Sequence, residues 1–154
     1  MTGHMDTQGS KTPPQSGLDH LRQLLQGWHG SAMAETLNFR LIAVDDGTAT
    51  FEAFPSPKFY NPQMRMHGGY AATLIDSATG CAVQTKLPAG TGYGTIELKV
   101  NYVGKIDASV TRLICTGTVI HAGRIMLTAE AKLTGDNGKL YAHGSGTFLV
   151  YPTK

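Results

Sequence analysis

Residues 61–76 carry the features from which the fold is predicted, and they read Asn-Pro-Gln-Met-Arg-Met-His-Gly-Gly-Tyr-Ala-Ala-Thr-Leu-Ile-Asp. Gly68 and Gly69 stand at the predicted start of a helix, where glycine lets the bare backbone approach a ligand closely. A helix start leaves N–H groups without partners inside the helix, and such groups favour negative charge. Asp76 follows among alanine, leucine and isoleucine residues, where a carboxylate needs a partner or a chemical role.

Apolar periodicity and turn residues place further elements around this helix. Predicted helices cover residues 18–28 and 68–85, and Ser16 with Asp19 resembles a capping pair for the first. Predicted strands cover residues 37–44, 48–54, 96–102, 110–121, 125–134 and 139–151. One long helix followed by a run of strands with short turns indicates an α+β fold, in which an antiparallel sheet wraps around one central helix.

Length and composition favour one globular domain without a membrane span. Of the 154 residues, 1–16 are polar and rich in Gly, Pro and Ser, so they are predicted to form a disordered tail before a domain at 17–154. The net charge of +2 argues against a nucleic-acid-binding surface. No apolar run approaches the roughly 18–20 residues of a membrane helix. Cys81 and Cys115, in a chain without a recognisable signal peptide, indicate reduced thiols and a cytoplasmic location.

The spacing within residues 61–76 resembles the signature of hotdog-fold acyl-CoA thioesterases, and most closely the phenylacetate-pathway (PaaI-like) branch. The resemblance is carried by a spaced set of polar and glycine residues, namely Asn61, His67, Gly68, Gly69 and Asp76. It extends over residues 18–151. It implies the hotdog fold and the hydrolysis of an aromatic or medium-chain acyl-CoA to a free acid and CoA.

Thioester hydrolysis needs hydrogen-bond donors aimed at the developing oxyanion, and a base or nucleophile directed at the carbonyl carbon or its attacking water. The backbone N–H groups of Gly68 and Gly69 are the candidate donors. The resemblance implies that Asp76 is either a general base acting on water or a nucleophile, and the sequence leaves that choice open.

Three further residues are candidate members of the site. Asn61 matches a family position whose side chain orients the water or carbonyl, although asparagine is also a common turn residue before proline. His67 is expected to shape the loop and helix start rather than to transfer a proton. Thr95 matches a family position that carries a hydroxyl near the carboxylate, although a strand threonine is also explained by β-propensity.

Helix geometry separates the donors from the carboxylate. Seven helical residues from Gly69 to Asp76 rise about 10 Å, whereas hydrogen-bond reach is about 3 Å. One thioester therefore cannot reach both groups of the same chain, which predicts a homodimer with two equivalent sites across an isologous interface. The resemblance implies the same arrangement, often doubled into a tetramer.

Basic residues are expected near the mouth of the site because CoA carries phosphates. Gly123 and Arg124, at a predicted hairpin turn, resemble the turn that meets the CoA tail in this family and are the candidate CoA-binding residues. Lys58, Arg65 and Lys86 are weaker candidates. The histidines show no ligand spacing and no nucleotide-binding glycine motif is present, so neither a metal nor a cofactor beyond the CoA of the substrate is expected.

The same fold also supports functions other than hydrolysis. The main alternative is a non-catalytic acyl-CoA-binding hotdog module. A hydratase would need a histidine paired with an acid, a pattern that His67 and Asp76 do not form. Phe59, Tyr60 and Tyr70 could line an acyl pocket, and core packing explains each of them equally well.

Overall fold

The structure, a computed structural model, describes residues 14–27 and 30–153. The described part contains the α-helices α1 (Gly17–Gln26), α2 (Ala32–Thr36) and α3 (Gly68–Gln84), together with a short 3-10 helix at Pro57–Phe59. Its strands are β1 (Phe39–Asp45), β2 (Thr48–Ala53), β3 (Thr91–Tyr102), β4 (Leu113–Ala122), β5 (Met126–Gly135) and β6 (Leu140–Pro152).

The six strands form one antiparallel sheet in the order β1-β2-β4-β5-β6-β3. The long helix α3 packs against β2, β3, β4, β5 and β6, so the sheet wraps around it. This is the hotdog fold, and the predicted α+β arrangement around one central helix is confirmed. Strand β3 lies at one edge of the sheet.

Helix α3 presents one fully buried face to the sheet. Leu74, Ile75 and Ala78 are 0% exposed, and burial of a large aliphatic side chain contributes about 1.5–3 kcal/mol. The backbones approach closely at Gly117 on β4, where an added Cβ would lie 2.2 Å from the carbonyl oxygen of Ala78. Asp76 lies on a half-buried flank of the helix, away from this apolar contact.

A β-bulge in β3 sets the direction of its side chains. Thr95 pairs with Phe148 and Leu98 pairs with Gly146, and the register shifts between Thr95 and Glu97. Thr95 and Leu98 are three positions apart, so strict alternation would send them to opposite faces. The extra residue of the bulge lets both face α3. The strand predicted at residues 96–102 begins earlier, at Thr91. The bulge also makes it less regular than its sequence pattern indicates.

The first part of the chain departs from the prediction in two places. Helix α1 ends at Gln26 rather than at residue 28, which lies outside the described residues. Its predicted cap is confirmed, since the Ser16 hydroxyl accepts a hydrogen bond from the Asp19 amide at 3.2 Å. Helix α2 was not predicted, because its five residues are too few to show a periodic apolar stripe. Asn38, at φ 56°, then delays the first strand by two residues.

The later strands follow the prediction closely, with one shortened start. Strand β4 begins at Leu113 rather than at residue 110. A turn at residues 107–110 precedes it, in which Asp107 accepts hydrogen bonds from both the amide and the hydroxyl of Ser109.

A buried ion-pair cluster joins β1, β2 and the start of β4. The Glu52 carboxylate, on a residue only 5% exposed, accepts hydrogen bonds from Arg40 and Arg112. Arg112 also contacts Asp136 at 2.7 Å. Burial raises the pKa of Glu52, but the two guanidinium groups outweigh burial and hold that pKa below its ordinary value.

Within the described ranges, no helix has the length and apolar character required to cross a membrane.

Candidate active site

The side chain of His67 caps the start of α3 and binds one of the two backbone N–H groups that were predicted as oxyanion donors. His67 is the N-cap, at φ −62° and ψ 135°. Its Nδ1 accepts a hydrogen bond from the Gly69 amide at 2.9 Å. The Gly68 amide has no hydrogen-bond partner among the described residues. Of the two candidate backbone donors, the Gly68 amide is therefore the one that is available to a ligand.

Gly68 opens onto a cavity of about 250 Å³, which we call the Gly68 cavity. Tyr102 on β3 forms part of its wall, and the Tyr102 hydroxyl donates to the Gly68 carbonyl oxygen at 3.0 Å. A Cβ at Gly68 would lie 3.2 Å from the Tyr102 ring, so this contact leaves little room for a side chain. The cavity also takes in Asn61, Arg65 and Lys105.

Asn61 contributes to the same cavity with only half of its amide. Its Oδ1 accepts hydrogen bonds from the amides of Gln63 at 3.0 Å and Arg65 at 3.2 Å, so the oxygen stabilises the loop. The Nδ2 group has no partner in the described part of the chain. Asn61 can thus act in the turn through its oxygen and towards a ligand through its nitrogen.

The predicted acid lies beside the predicted hydroxyl. The Thr95 hydroxyl donates to Asp76 Oδ1 at 3.0 Å, and the bulge in β3 makes this contact possible. Both residues line a second cavity of about 340 Å³, which we call the Asp76 cavity. Its other walls come from α1, α2, β1, β2 and α3 and are largely apolar, with Leu21, Leu24, Met33, Ala34, Phe39, Phe51 and Cys81 among them.

The Asp76 cavity also contains the thiol of Cys81, which is a poor nucleophile. Burial, together with the nearby charge of Asp76, raises the pKa of the Cys81 thiol to about 12. A thiol with such a pKa stays protonated at neutral pH and is a poor nucleophile. Cys81 is therefore unsuited to act as a nucleophile in this cavity.

The two halves of the predicted site do not meet within one chain. Gly68 and Asp76 are eight residues apart on α3, a rise of about 12 Å. They line different cavities that share no lining residue. Neither cavity alone therefore offers a thioester both an oxyanion donor and a carboxylate.

The aromatic residues of the preceding loop line a third cavity, of about 320 Å³, beside His67 and Gly69. The rings of Phe59 and Tyr70 stack there, with centroids 5.1 Å apart. Tyr60 lines this cavity as well. All three residues lie away from the Asp76 cavity, whose lining does not include them.

Of the basic residues considered for CoA, Arg65 lines the Gly68 cavity and Lys58 lines the cavity beside His67 and Gly69. Lys86 is held by Asp46 at 2.7 Å. Gly123 and Arg124 lie on the turn between β4 and β5 and line neither the Gly68 cavity nor the Asp76 cavity. Lys105, which also lines the Gly68 cavity, was not predicted because no local sequence motif marks it.

In the described ranges, no group of three or more His, Cys, Asp or Glu residues could hold a metal ion.

Comparison with known proteins agrees with this fold. The sequence profile of the thioesterase superfamily matches residues 65–142, a range that contains Gly68, Asp76 and Thr95. The chain belongs to the thioesterase superfamily and has a PaaI-like hotdog fold.

Individual proteins that resemble the chain share between 18% and 36% of their aligned residues with it. A protein of Halobacterium salinarum named as a candidate esterase is 36% identical over 94 residues, which is 56% of this chain and 60% of that protein. A phenylacetic acid degradation-related thioesterase candidate of Ralstonia eutropha is 25% identical, with a TM-score of 0.74 over 83% of this chain and 97% of its own. The Escherichia coli PaaI protein, from the phenylacetic acid degradation operon, has a TM-score of 0.76 at 18% identity. That match covers 90% of this chain and 96% of that one, and it supports the fold alone.

Proposed function

We propose that the protein is an acyl-CoA thioesterase whose active sites form at the interface of a homodimer. One subunit supplies Gly68, Asn61 and His67, and its partner supplies Asp76 and Thr95. The observation that carries the proposal is the separation of Gly68 and Asp76 on one helix, each facing its own cavity. A two-fold axis that brings the cavities of two chains together completes two equivalent sites at once.

The exposed parts of the fold suit such a dimer. Strand β3 has twelve residues and lies at the sheet edge, where unpaired backbone groups can hydrogen-bond to the same strand of a second copy. Ile96 on this strand is 55% exposed. The flank of α3 that carries Asp76 is half-buried and built from the small residues Ala72, Thr73 and Ser77, which allow close approach of another helix.

In the proposed reaction the thioester carbonyl accepts a hydrogen bond from the Gly68 amide. This donor stabilises the oxyanion that develops when the carbonyl carbon is attacked. Asp76 either removes a proton from the attacking water or attacks the carbon itself to form a mixed anhydride that water then cleaves. In the general-base route, collapse of the tetrahedral intermediate breaks the C–S bond, the CoA thiolate takes up the proton held by Asp76, and the free acid remains. In the anhydride route, collapse expels the CoA thiolate first, and cleavage of the anhydride by water then gives the free acid, restores the Asp76 carboxylate and supplies the proton for the thiolate. Thr95 positions the carboxylate in both routes.

His67 and Asn61 hold the donor side of the site. The His67 cap occupies the Gly69 amide and fixes the start of α3, so the Gly68 amide remains as the backbone donor. The free Nδ2 of Asn61 is suited to orient the carbonyl or the water. Arg65 and Lys105 are suited to contact the phosphates of CoA, in addition to Gly123 and Arg124 of a neighbouring subunit. The cytoplasmic location is part of the proposal, with Cys81 and Cys115 as free thiols.

The test is a panel of aromatic and straight-chain acyl-CoAs, with released CoA measured by a thiol reagent. Asp76→Asn keeps the shape of the side chain and its acceptor for Thr95 but removes the base. We expect a loss in kcat of about 100-fold or more, the usual contribution of general-base catalysis. Light scattering checks the oligomeric state of each variant. Wild-type protein that binds acyl-CoA but releases no CoA would instead establish the non-catalytic binding module.

Single-turnover hydrolysis in heavy-oxygen water distinguishes the two routes for Asp76. Label appears in the Asp76 carboxylate only when a covalent anhydride forms.

A further inference from the structure

A second space continues the Asp76 cavity along the same helix. This space, which we call the outer cavity, has a volume of about 530 Å³ and lies at the C-terminal end of α3. On α1, Leu24 lines the Asp76 cavity and Gly17 lines the outer cavity. On β3, Thr95 lines the former and Thr91 the latter. The two cavities therefore follow one another between the same three elements.

Among the described residues, only Gln84 and Tyr93 line both cavities. The Tyr93 ring lies against Gly80 of α3, where an added Cβ would come within 3.1 Å of the Tyr93 hydroxyl oxygen. Glycine inside a helix is unfavourable relative to alanine. Its presence at position 80 is explained by the space that the Tyr93 ring needs.

The position of Tyr93 is fixed from two sides. Its ring contacts the buried ring of Phe148 edge-on, with centroids 5.8 Å apart. Its carbonyl oxygen accepts a hydrogen bond from the Tyr151 hydroxyl at 2.9 Å. A ring held in this way fills the gap between α3 and β3 and separates the two cavities.

We propose that Tyr93, together with Gln84, is the partition that limits the length of the acyl chain that the Asp76 cavity accepts. The inference rests on the proposed thioesterase function, because it assigns the Asp76 cavity to the acyl group. The helix rises about 12 Å between Asp76 and Gln84, which sets the depth available to the chain before the partition.

The energetic basis is the burial of methylene groups. A chain that ends before Tyr93 removes all of its methylenes from water against the apolar walls. A longer chain either leaves its end in water or displaces the Tyr93 ring from Gly80 and Phe148. Removing the ring joins the two spaces, so that the extra methylenes of a long chain become buried and favour its binding.

The test compares octanoyl-, dodecanoyl- and palmitoyl-CoA as substrates of the wild type, Tyr93→Ala and Tyr93→Phe. Tyr93→Phe is the matched control, since it keeps the ring and removes a hydroxyl that has no hydrogen-bond partner in the described part of the chain. We expect Tyr93→Ala to raise the palmitoyl-to-octanoyl ratio of kcat/KM by at least about tenfold, since even one methylene accepted or rejected by an apolar pocket changes kcat/KM by about that factor. Tyr93→Phe should keep the wild-type ratio.

Gln84→Ala provides a second test that does not depend on the packing of Phe148. Alanine is a strong helix former, so this variant should fold, and we expect a shift in the same direction. Unchanged ratios, within about twofold, in folded Tyr93→Ala and Gln84→Ala would overturn the proposal.

A binding measurement separates this proposal from the proposed function. Non-hydrolysable thioether analogues of octanoyl- and palmitoyl-CoA are titrated calorimetrically into the same variants. A shift of the affinity ratio in Tyr93→Ala supports the partition even when no acyl-CoA is hydrolysed, an outcome that would reject only the thioesterase proposal. Hydrolysis by the wild type with an unshifted affinity ratio would reject only the partition.

Discussion

Replacement of Gly68 by proline isolates the contribution of a single backbone N–H. Gly68 is the first residue of α3, a position where proline is favoured because the missing N–H is not used inside the helix. The preceding residue, His67, has φ −62° and ψ 135°, the extended conformation that proline requires of its neighbour. Gly68→Pro therefore removes the proposed oxyanion donor while the helix start is retained.

The expected magnitudes separate catalysis from stability. Loss of one oxyanion donor typically lowers kcat by about 10²–10³-fold, and KM should change less because the donor acts mainly in the transition state. The added ring atoms approach Tyr102, but that side chain is 56% exposed and can move. We expect a change in unfolding free energy below about 1 kcal/mol, which corresponds to about 2–4 °C in the midpoint of thermal unfolding.

Gly68→Ala is the matched control, because it places the same Cβ near Tyr102 and keeps the N–H. Steady-state hydrolysis of the best acyl-CoA substrate and thermal unfolding are measured for the three proteins. An equal loss in both variants would assign the effect to the Tyr102 contact. A Gly68→Pro protein that keeps more than about a tenth of wild-type kcat would refute the assigned donor.

Three other predictions concern the site shared between subunits, the Thr95 hydroxyl and the Glu52 ion pairs. Co-refolded Gly68→Pro and Asp76→Asn subunits should recover about a quarter of wild-type activity, since about half of the dimers are mixed and each contains one intact site of two; no recovery would contradict a site shared between subunits. Thr95→Val should lower kcat/KM about tenfold, the loss expected for a charge-assisted hydrogen bond of about 1.5 kcal/mol, whereas Thr95→Ser should retain most activity, and equal losses would argue against a role for the hydroxyl. Because ion pairs hold the pKa of Glu52 below its ordinary value, its stabilisation is complete above the unfolded pKa of about 4.3 and is lost as pH falls through the folded pKa. Urea unfolding at neutral and acid pH should therefore show a weaker pH dependence for Glu52→Gln, and an identical dependence would contradict the ion-pair argument.

In the proposed dimer, the candidate site is incomplete in one chain because its two parts come from different subunits. The Gly68 cavity holds an amide donor and basic side chains, whereas the Asp76 cavity holds the carboxylate and apolar walls. Because Asp76 and Gly68 line different cavities, Asp76 cannot accept a hydrogen bond from the Gly68 amide of its own chain. That amide is then left for the substrate when two subunits meet.

Local sequence signals predicted much of the architecture. The glycine pair and the apolar run after it placed the start of the central helix at Gly68, where the structure has it. The short turn between the first two predicted strands is confirmed, and Gly47 adopts φ 79° there. These features depend on the conformational preferences of neighbouring residues, which the sequence expresses directly. Helix α2 is too short for such a signal.

The amino-acid sequence by itself determined the order of the two longer helices and the six strands, the helix start at Gly68 and the candidate carboxylate Asp76, because backbone preferences and apolar periodicity act over a few residues. Only the tertiary structure decided that His67 occupies the Gly69 amide, that the bulge in β3 turns Thr95 towards Asp76, and that Tyr93 stands between two cavities. These contacts depend on side-chain direction and on the register of strands far apart in the chain, and a shift of one residue reverses the face to which a strand side chain points.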